Sequence, residues 1–390
     1  MGGSCHSTRK DTSSIHASLT GAPVYMRGLP NHRRFTMKQG KQSIVELAKE
    51  IQRQADSKVD YIAPAKRMEV IANGSVSLML DRSDVTNKIP LNHIASRQLG
   101  DKVGIPAKYF DRMLSDAPDL FATNVNHWLG NSNANHMIRT LDGDVRAVLS
   151  DRYQRIDNID IGNEILPILM NSLSGLEIAS CEITEKKMYI KAIMPQMQAD
   201  VKVGDTVQAG ISITNSEIGH GMFEVAPFIM RLVCLNGMKV NDAAFGRRHL
   251  GARTDVNDAV YNVLSNETLK ADDKAFMLKA RDVVTAAFEE KLFLQHVDAL
   301  RQTTERKILG NPVKAVEVLA KNNGLLQGEQ DGILRKLIEG ADLSQYGMVQ
   351  AVTAFSQDVQ SYDRASDFEE LGGKIVTLTD QEWKPIAVAA

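Results

Sequence analysis

Cysteine is scarce in this chain. Its three cysteines, Cys5, Cys181 and Cys234, are odd in number and widely separated. That excludes a disulfide framework and a cysteine-based zinc site, which need paired or clustered thiols. Long apolar runs are also missing, and nothing approaches the ~20 residues that a membrane-spanning helix needs. Aromatic residues make up only 5%, too few for a continuous stacking surface, and the net charge of −2 exerts no overall pull on polyanions. Any phosphate binding must therefore come from a local cluster of cations. There is no Walker loop, GxGxxG, GxSxG, CxxC or HExxH pattern, so nucleotide hydrolysis, dinucleotide chemistry, serine hydrolysis and zinc proteolysis lack their usual signatures. A reducing, cytoplasmic protein is expected, with no membrane partner, no cofactor and no metal assigned.

What is present is ordinary globular material, with 43% apolar and 24% charged residues over 390 positions. Residues 1–40 are rich in Ser, Thr, His, Gly and Arg and lack periodicity. They read as a basic disordered leader, with Met37 as the expected native start. From residue 41 the pattern changes. Ile44, Leu47, Ala48 and Ile51 have helical spacing, and two short helices follow over 91–115, broken at Gly104-Ile105-Pro106 with Pro106 in the first turn of the second. The run from Met137 to Leu149 reads as a β-hairpin turning on Asp142-Gly143. A helix over about 160–173 precedes strand-like runs at 176–184, 187–194 and 206–214. Asn236-Gly237 closes a further apolar segment as a turn. Residues 41–255 are thus expected to form an antiparallel β-rich α+β core with hairpins and interleaved helices. Residues 256–390 read as a mostly helical C-terminal domain, and its helix at 363–371 is expected to stop at Gly372-Gly373.

Four segments are chemically suggestive. In a regular two-residue hairpin Arg139 would face Arg146, a like-charge pair kept most easily when an anion or acidic side chains lie between them. Arg152 and Arg155 follow, with Tyr153 between them as a candidate for stacking on a base. Two readings stand side by side: a phosphate-binding face, or an internal salt network with Asp142, Asp144, Asp151 and Asp157. The second segment, Asn215-Ser216-Glu217-Ile218-Gly219-His220-Gly221, reads as an irregular loop with exposed backbone N–H groups, which could bind an anion. Glu217 and His220 are also the residue types of an acid/base pair, although a structural loop is the default. Cys234, between Leu232, Val233 and Leu235, reads as buried and inert. Finally, Arg247 and Arg248 form a compact basic segment near the expected domain junction. Asn126, His127, Trp128, Asn135 and His136 are isolated.

Several of these stretches resemble a phage/plasmid-like protein family. They are Gly104-Ile-Pro-Ala-Lys-Tyr-Phe-Asp-Arg112, the hairpin with its Leu149-Ser-Asp-Arg-Tyr153 end, Asn215-Ser-Glu-Ile-Gly219, Arg231-Leu-Val-Cys-Leu-Asn-Gly-Met238, Tyr346-Gly-Met-Val-Gln-Ala-Val-Thr353 and Glu369-Glu-Leu-Gly-Gly373. That family is a domain of unknown function carried by phages, plasmids and some bacterial chromosomes, and it transfers no catalytic residues. The resemblance implies a role in replication, recombination or host conflict. A remote likeness to phage single-strand-annealing proteins is fold analogy only.

The leading expectation is a non-catalytic protein that binds or anneals single-stranded DNA. Arg139, Arg146, Arg152 and Arg155 would contact phosphates, Tyr153 would stack, and Arg247 and Arg248 would extend the track. Two alternatives stay open: a metal-dependent nuclease or phosphotransferase using Glu217, His220 and aspartates from the hairpin region, and a modulator of a host protein complex. Single-stranded nucleic acid, a second copy of the chain and a host protein are the partners these readings name.

Overall fold

The computed structural model describes all residues except 1–39, 41, 73–75, 82, 84–87, 173, 234, 235, 241–243 and 248–265. The first described helix, α1 (Ile44–Ser57), starts with a capping box in which Ser43 and Glu46 each satisfy the other's backbone N–H. Such a cap is worth ~1 kcal/mol. Leu47, Ala48 and Ile51 form its buried face.

After α1 the chain builds a small lobe. It comprises β1 (Val59–Pro64), β2 (Glu69–Ala72), β3 (Val76–Met79) and β4 (Lys88–Pro90), the helices α2 (His93–Lys102), α3 (Ala107–Asp116) and α4 (Pro118–Gly130), and the hairpin β5 (Asn135–Leu141) and β6 (Asp144–Ser150). Its strands run β1-β5-β6 and β2-β3-β4, joined by a bridge between Leu91 and Val145. Leu78, Leu99, Phe110, Phe121, Val125, Ile138 and Val148 make a core of the lobe's own. Phe110 and Phe121 meet edge to face at 4.8 Å, a preferred aromatic geometry. Pro106 sits at the cap of α3 rather than inside its first turn. Helix α4 was not expected, although Phe121, Val125 and Leu129 recur every four residues on its buried side. Asn126 on α4 clamps β2 by accepting from Val70 N at 2.7 Å and donating to Val70 O at 2.8 Å.

The body follows. Helix α5 (Asn158–Pro167) leads to β7 (Glu177–Ile183), β8 (Met188–Lys202), β9 (Asp205–Asn215), β10 (Phe223–Arg231), β11 (Asn236–Lys239) and β12 (Phe245–Arg247). These form one antiparallel sheet in the order β11-β10-β9-β8-β7, with β12 also on β10. Asn236-Gly237 is therefore a strand start and not a turn. A side chain at Gly237 would collide with the Phe228 ring, and Asn236 hydrogen-bonds Thr353 from beneath the sheet.

Seven helices complete the body: α6 (Asn266–Ala286), α7 (Glu290–Glu305), α8 (Pro312–Asn322), α9 (Gln327–Gly340), α10 (Gln345–Phe355), α11 (Tyr362–Val376) and α12 (Asp380–Ala387). Helix α11 runs straight through Gly372-Gly373. A methyl on Gly372 would lie 2.4 Å from Thr353 Cγ2, so this glycine permits close approach and does not end the helix. The α+β class holds, with antiparallel sheets first and helices after. These helices share one core with the sheet: Val284, Val297, Leu300, Val349 and Phe368 pack in the same cluster as Ile190, Ile211 and Ile229, together with Leu47 of α1 and Ile165 of α5. The lobe is thus inserted between two helices, α1 and α5, that both belong to the body. No described helix is long and apolar enough to cross a membrane.

Candidate functional site

The hairpin turns as expected, with Asp142 at φ 53° and Gly143 at φ 88°. Leu141 pairs with Asp144 and Thr140 with Val145, but Arg139 then pairs with Ala147. Arg146 is the extra residue of a β-bulge, which re-aims side chains. The two arginines are therefore not directly opposed, and each finds its own carboxylate.

Arg139 is 0% exposed. Its Nε donates to Asp60 Oδ1 at 2.9 Å, Nη2 to Asp157 Oδ1 at 2.7 Å, and Nη1 to the Glu217 carbonyl at 2.8 Å. Arg146 is buried and pairs through Nη2 with the Glu217 carboxylate. Neither arginine presents a face to solvent, so the expectation that this pair contacts phosphate directly gives way to the internal salt network. Like-charge repulsion across the hairpin is relieved from within the chain.

Glu217 is the hub. Its Oε1 accepts from Lys58 Nζ at 3.2 Å and from Asn158 N, at the start of α5, at 2.7 Å. Lys58 also pairs with Asp157 at 3.0 Å, and Arg155 with Asp60 at 3.1 Å. Four cations (Lys58, Arg139, Arg146, Arg155) thus surround three carboxylates (Asp60, Asp157, Glu217). Burial resists ionisation of Asp157, but Arg139 and Lys58 outweigh it and hold the carboxyl well below its usual range. Burial and the neighbouring Asp157 both push Glu217 up, and Lys58, Arg146 and Arg139 prevail, so its pKa is lowered too. A carboxylate locked in its ionised form by three cations is a poor proton shuttle. Among the described residues no three His, Cys, Asp or Glu side chains are grouped as metal ligands.

A second layer lies outside this network. Tyr153 is buried, and its hydroxyl donates to Ser216 O at 2.9 Å. Its ring is core and not a free stacking surface, and burial raises its pKa. Ser216 Oγ donates to Lys186 O at 2.8 Å and accepts from His220 N at 3.0 Å. Asn215 Nδ2 donates to Ile156 O at 3.0 Å and to Asn158 Oδ1 at 2.8 Å. Gly219 takes φ 79°, which lets the loop reverse. Three segments are in this way fastened together: the turn after β6, the β7–β8 turn and the β9–β10 loop.

Exposed in these segments are Arg152, Lys186 and His220, with Lys187 half-buried and Arg155 at 44% side-chain exposure. Arg152 and Lys186 stand next in sequence to the exposed carboxylates Asp151 and Glu185. Partial burial lowers the His220 pKa, and Lys186 and Lys187 lower it further, against Asp363. The lysine pair was missed in the sequence, although it straddles the end of the short gap between two strand-like runs, with Lys186 in the gap and Lys187 opening the second run. Arg247 lies in β12 opposite Phe223, away from the hairpin in the chain's pairing scheme. Arg248 and Cys234 lie outside the described residues. Cys181 is buried, which pushes its thiol up to about 12 and leaves it protonated.

Comparison with known proteins adds one match. A family model described as a domain of unknown function (DUF932) matches residues 145–371. No curated protein and no solved structure matches the chain. The matched span begins in β6 and ends in α11, so it covers the body's sheet and most of its helices. It includes the Asn215–Gly219 loop, Arg146 and Asp157, and leaves Lys58, Asp60 and Arg139 outside. The match covers more than half of the chain, and the chain belongs to the DUF932 family, a domain of unknown function.

Proposed function

We propose that this protein is a cytoplasmic, non-catalytic binder of single-stranded nucleic acid, acting in the recombination or replication setting that its phage- and plasmid-type resemblance implies. The contacting groups are the outer cations Arg152, Arg155, Lys186 and Lys187, with His220 beside them. The hairpin arginines Arg139 and Arg146 serve as the buried frame behind this surface. The carrying observation is the fastening of three loops through Tyr153, Ser216 and Lys186, which brings together segments that each carry an exposed cation or histidine. Lys186 and Lys187 both lie near enough to His220 to lower its pKa, after the larger effect of its partial burial. Fixed cations lose little entropy on binding phosphate, and each phosphate neutralised releases counterions, so affinity must fall steeply with salt.

The test is fluorescence anisotropy of a labelled single-stranded oligonucleotide across a KCl series. Lys186→Glu/Lys187→Glu is expected to weaken binding at least ~10-fold and to lower the salt slope by about one to two. Lack of binding at low salt would overturn the function. Unchanged affinity in the double variant would overturn the assignment of the surface.

A further inference from the structure

The lobe leaves and rejoins the body at two adjacent chain crossings. The first is Lys58, between α1 and β1; the second is residues 151–157, between β6 and α5. The two are pinned directly to each other by the Lys58–Asp157 ion pair at 3.0 Å. No helix or strand of the lobe packs along one of the body among the described residues. The two are joined instead by a small apolar cluster of Ile94, Met137, Ala147 and Leu149 with Tyr153 and Ile218. Gln98 Nε2 adds a bond to Ile218 O at 2.7 Å. The ionic contacts run from Glu217 to Lys58 and Arg146, with Arg139–Asp157, Arg155–Asp60 and Arg53–Asp142 beside them. Glu217 by itself binds the first crossing, the start of α5 just past the second, and both hairpin strands: Lys58 and Asn158 through Oε1, Arg146 through Oε2, and Arg139 through its carbonyl.

We infer that residues 59–150 move as a rigid lobe on these two crossings, and that Glu217 is the latch that holds the lobe shut. One further observation supports this. The lobe has its own core, separate from the cluster that unites α1, the sheet and the C-terminal helices. Opening exposes charges that hydrate well and only a small apolar area, so it lies below global unfolding in cost. The inference stands independently of nucleic-acid binding.

Hydrogen exchange by mass spectrometry on the full chain, over a low-denaturant series, tests it. In the wild type, peptides covering 57–60, 151–157 and 215–219 are expected to exchange together. Their denaturant dependence should be shallower than that of peptides around Leu99 and Phe121 in the lobe or Ile190 and Ile211 in the body. Glu217→Gln should speed that group by about tenfold or more while both cores keep their protection. The idea is overturned if the group exchanges only along the global unfolding isotherm. Loss of protection in both cores together with the latch peptides would overturn it too. The wild-type series decides the matter even where the variant does not fold.

Discussion

Two of the buried ionic clusters among the described residues sit in opposite kinds of surroundings. The Glu217 cluster ties segments that belong to different packing units. The second cluster lies within the body, where Lys191 Nζ on β8 meets Glu369 Oε2 on α11 at 2.5 Å, both side chains buried. Around it Tyr362 shares a hydrogen bond with Ser180 at 2.7 Å, and Asp363 accepts from Tyr189 and Thr184. Helix α11 is held besides by Phe368, Leu371 and Ile375 in the main core. Charges of the same kind thus do different work: at the crossings they are the main tie, and under α11 they supplement an apolar one. Breaking the first should free a part, and breaking the second should weaken the whole.

The largest effect is expected at Lys191. Lys191→Met leaves the Glu369 carboxyl buried without its cation, a loss of about 3–5 kcal/mol in global stability. Denaturant unfolding checks this, and the midpoint should fall with the m-value unchanged, since no part is released. The double variant Lys191→Met/Glu369→Leu should recover most of the loss, because an apolar pair of similar volume carries no desolvation penalty. Failure of the double variant to recover would mean that the ion pair is needed for more than mutual neutralisation. A changed m-value in the single variant would erase the distinction between the clusters.

Acid and alkali should separate them as well. Asp157 and Glu217 have depressed pKa values, so their contribution is present above their ordinary values of 3.8 and 4.5 and is lost as pH falls below them. Lys191 is raised above 10.5, because Glu369 and Tyr362 outweigh the burial that lowers it. Its contribution is complete below that value and is lost as pH rises through the raised one. Tyr189 and Tyr362, raised chiefly by burial, act in the same direction from about 10 upward. Stability measured from pH 2 to 12 should therefore show Glu217→Gln flattening the acid limb and Lys191→Met the alkaline limb. An acid limb unchanged in Glu217→Gln would show that other carboxylates govern it.

The two clusters were not equally legible. The hairpin announced itself through Asp142-Gly143 and alternating apolar residues, and a salt network was one of two readings of its arginines. Its membership was hidden, because Lys58 and Asp60 lie some 80 positions from Arg139 and meet it only through the insertion topology. The bulge at Arg146 breaks a register that a two-residue turn implies. Strand β10 went unread because Pro227 interrupts it; the proline lies opposite Ile211, and Val240 N donates to its carbonyl at 2.8 Å from beyond the end of β11. The Lys191 cluster had no sequence signature. A lysine in an apolar strand finds its carboxylate 178 residues later, and nothing local marks the pair.

The smallest expected effect sharpens the comparison at the exposed edge of the first cluster. Asp142 accepts from Arg53 Nη1 at 2.7 Å and from Ser57 Oγ at 2.6 Å, so it too ties the hairpin to α1 beside the crossing. Both partners of the ion pair are about half exposed, at 48% and 51%. Exposed pairs contribute about 0–1 kcal/mol, and Asn tolerates the positive φ of this turn as well as Asp does. Asp142→Asn should therefore shift stability by less than about 0.5 kcal/mol and leave exchange at 151–157 and 215–219 unchanged. Parallel denaturation and hydrogen exchange would check both halves of that statement. Should Asp142→Asn speed those peptides as much as Glu217→Gln does, the tie would depend on the number of contacts across the junction rather than on their burial. Glu217 would then be one contact among several, and the lobe would have no single latch.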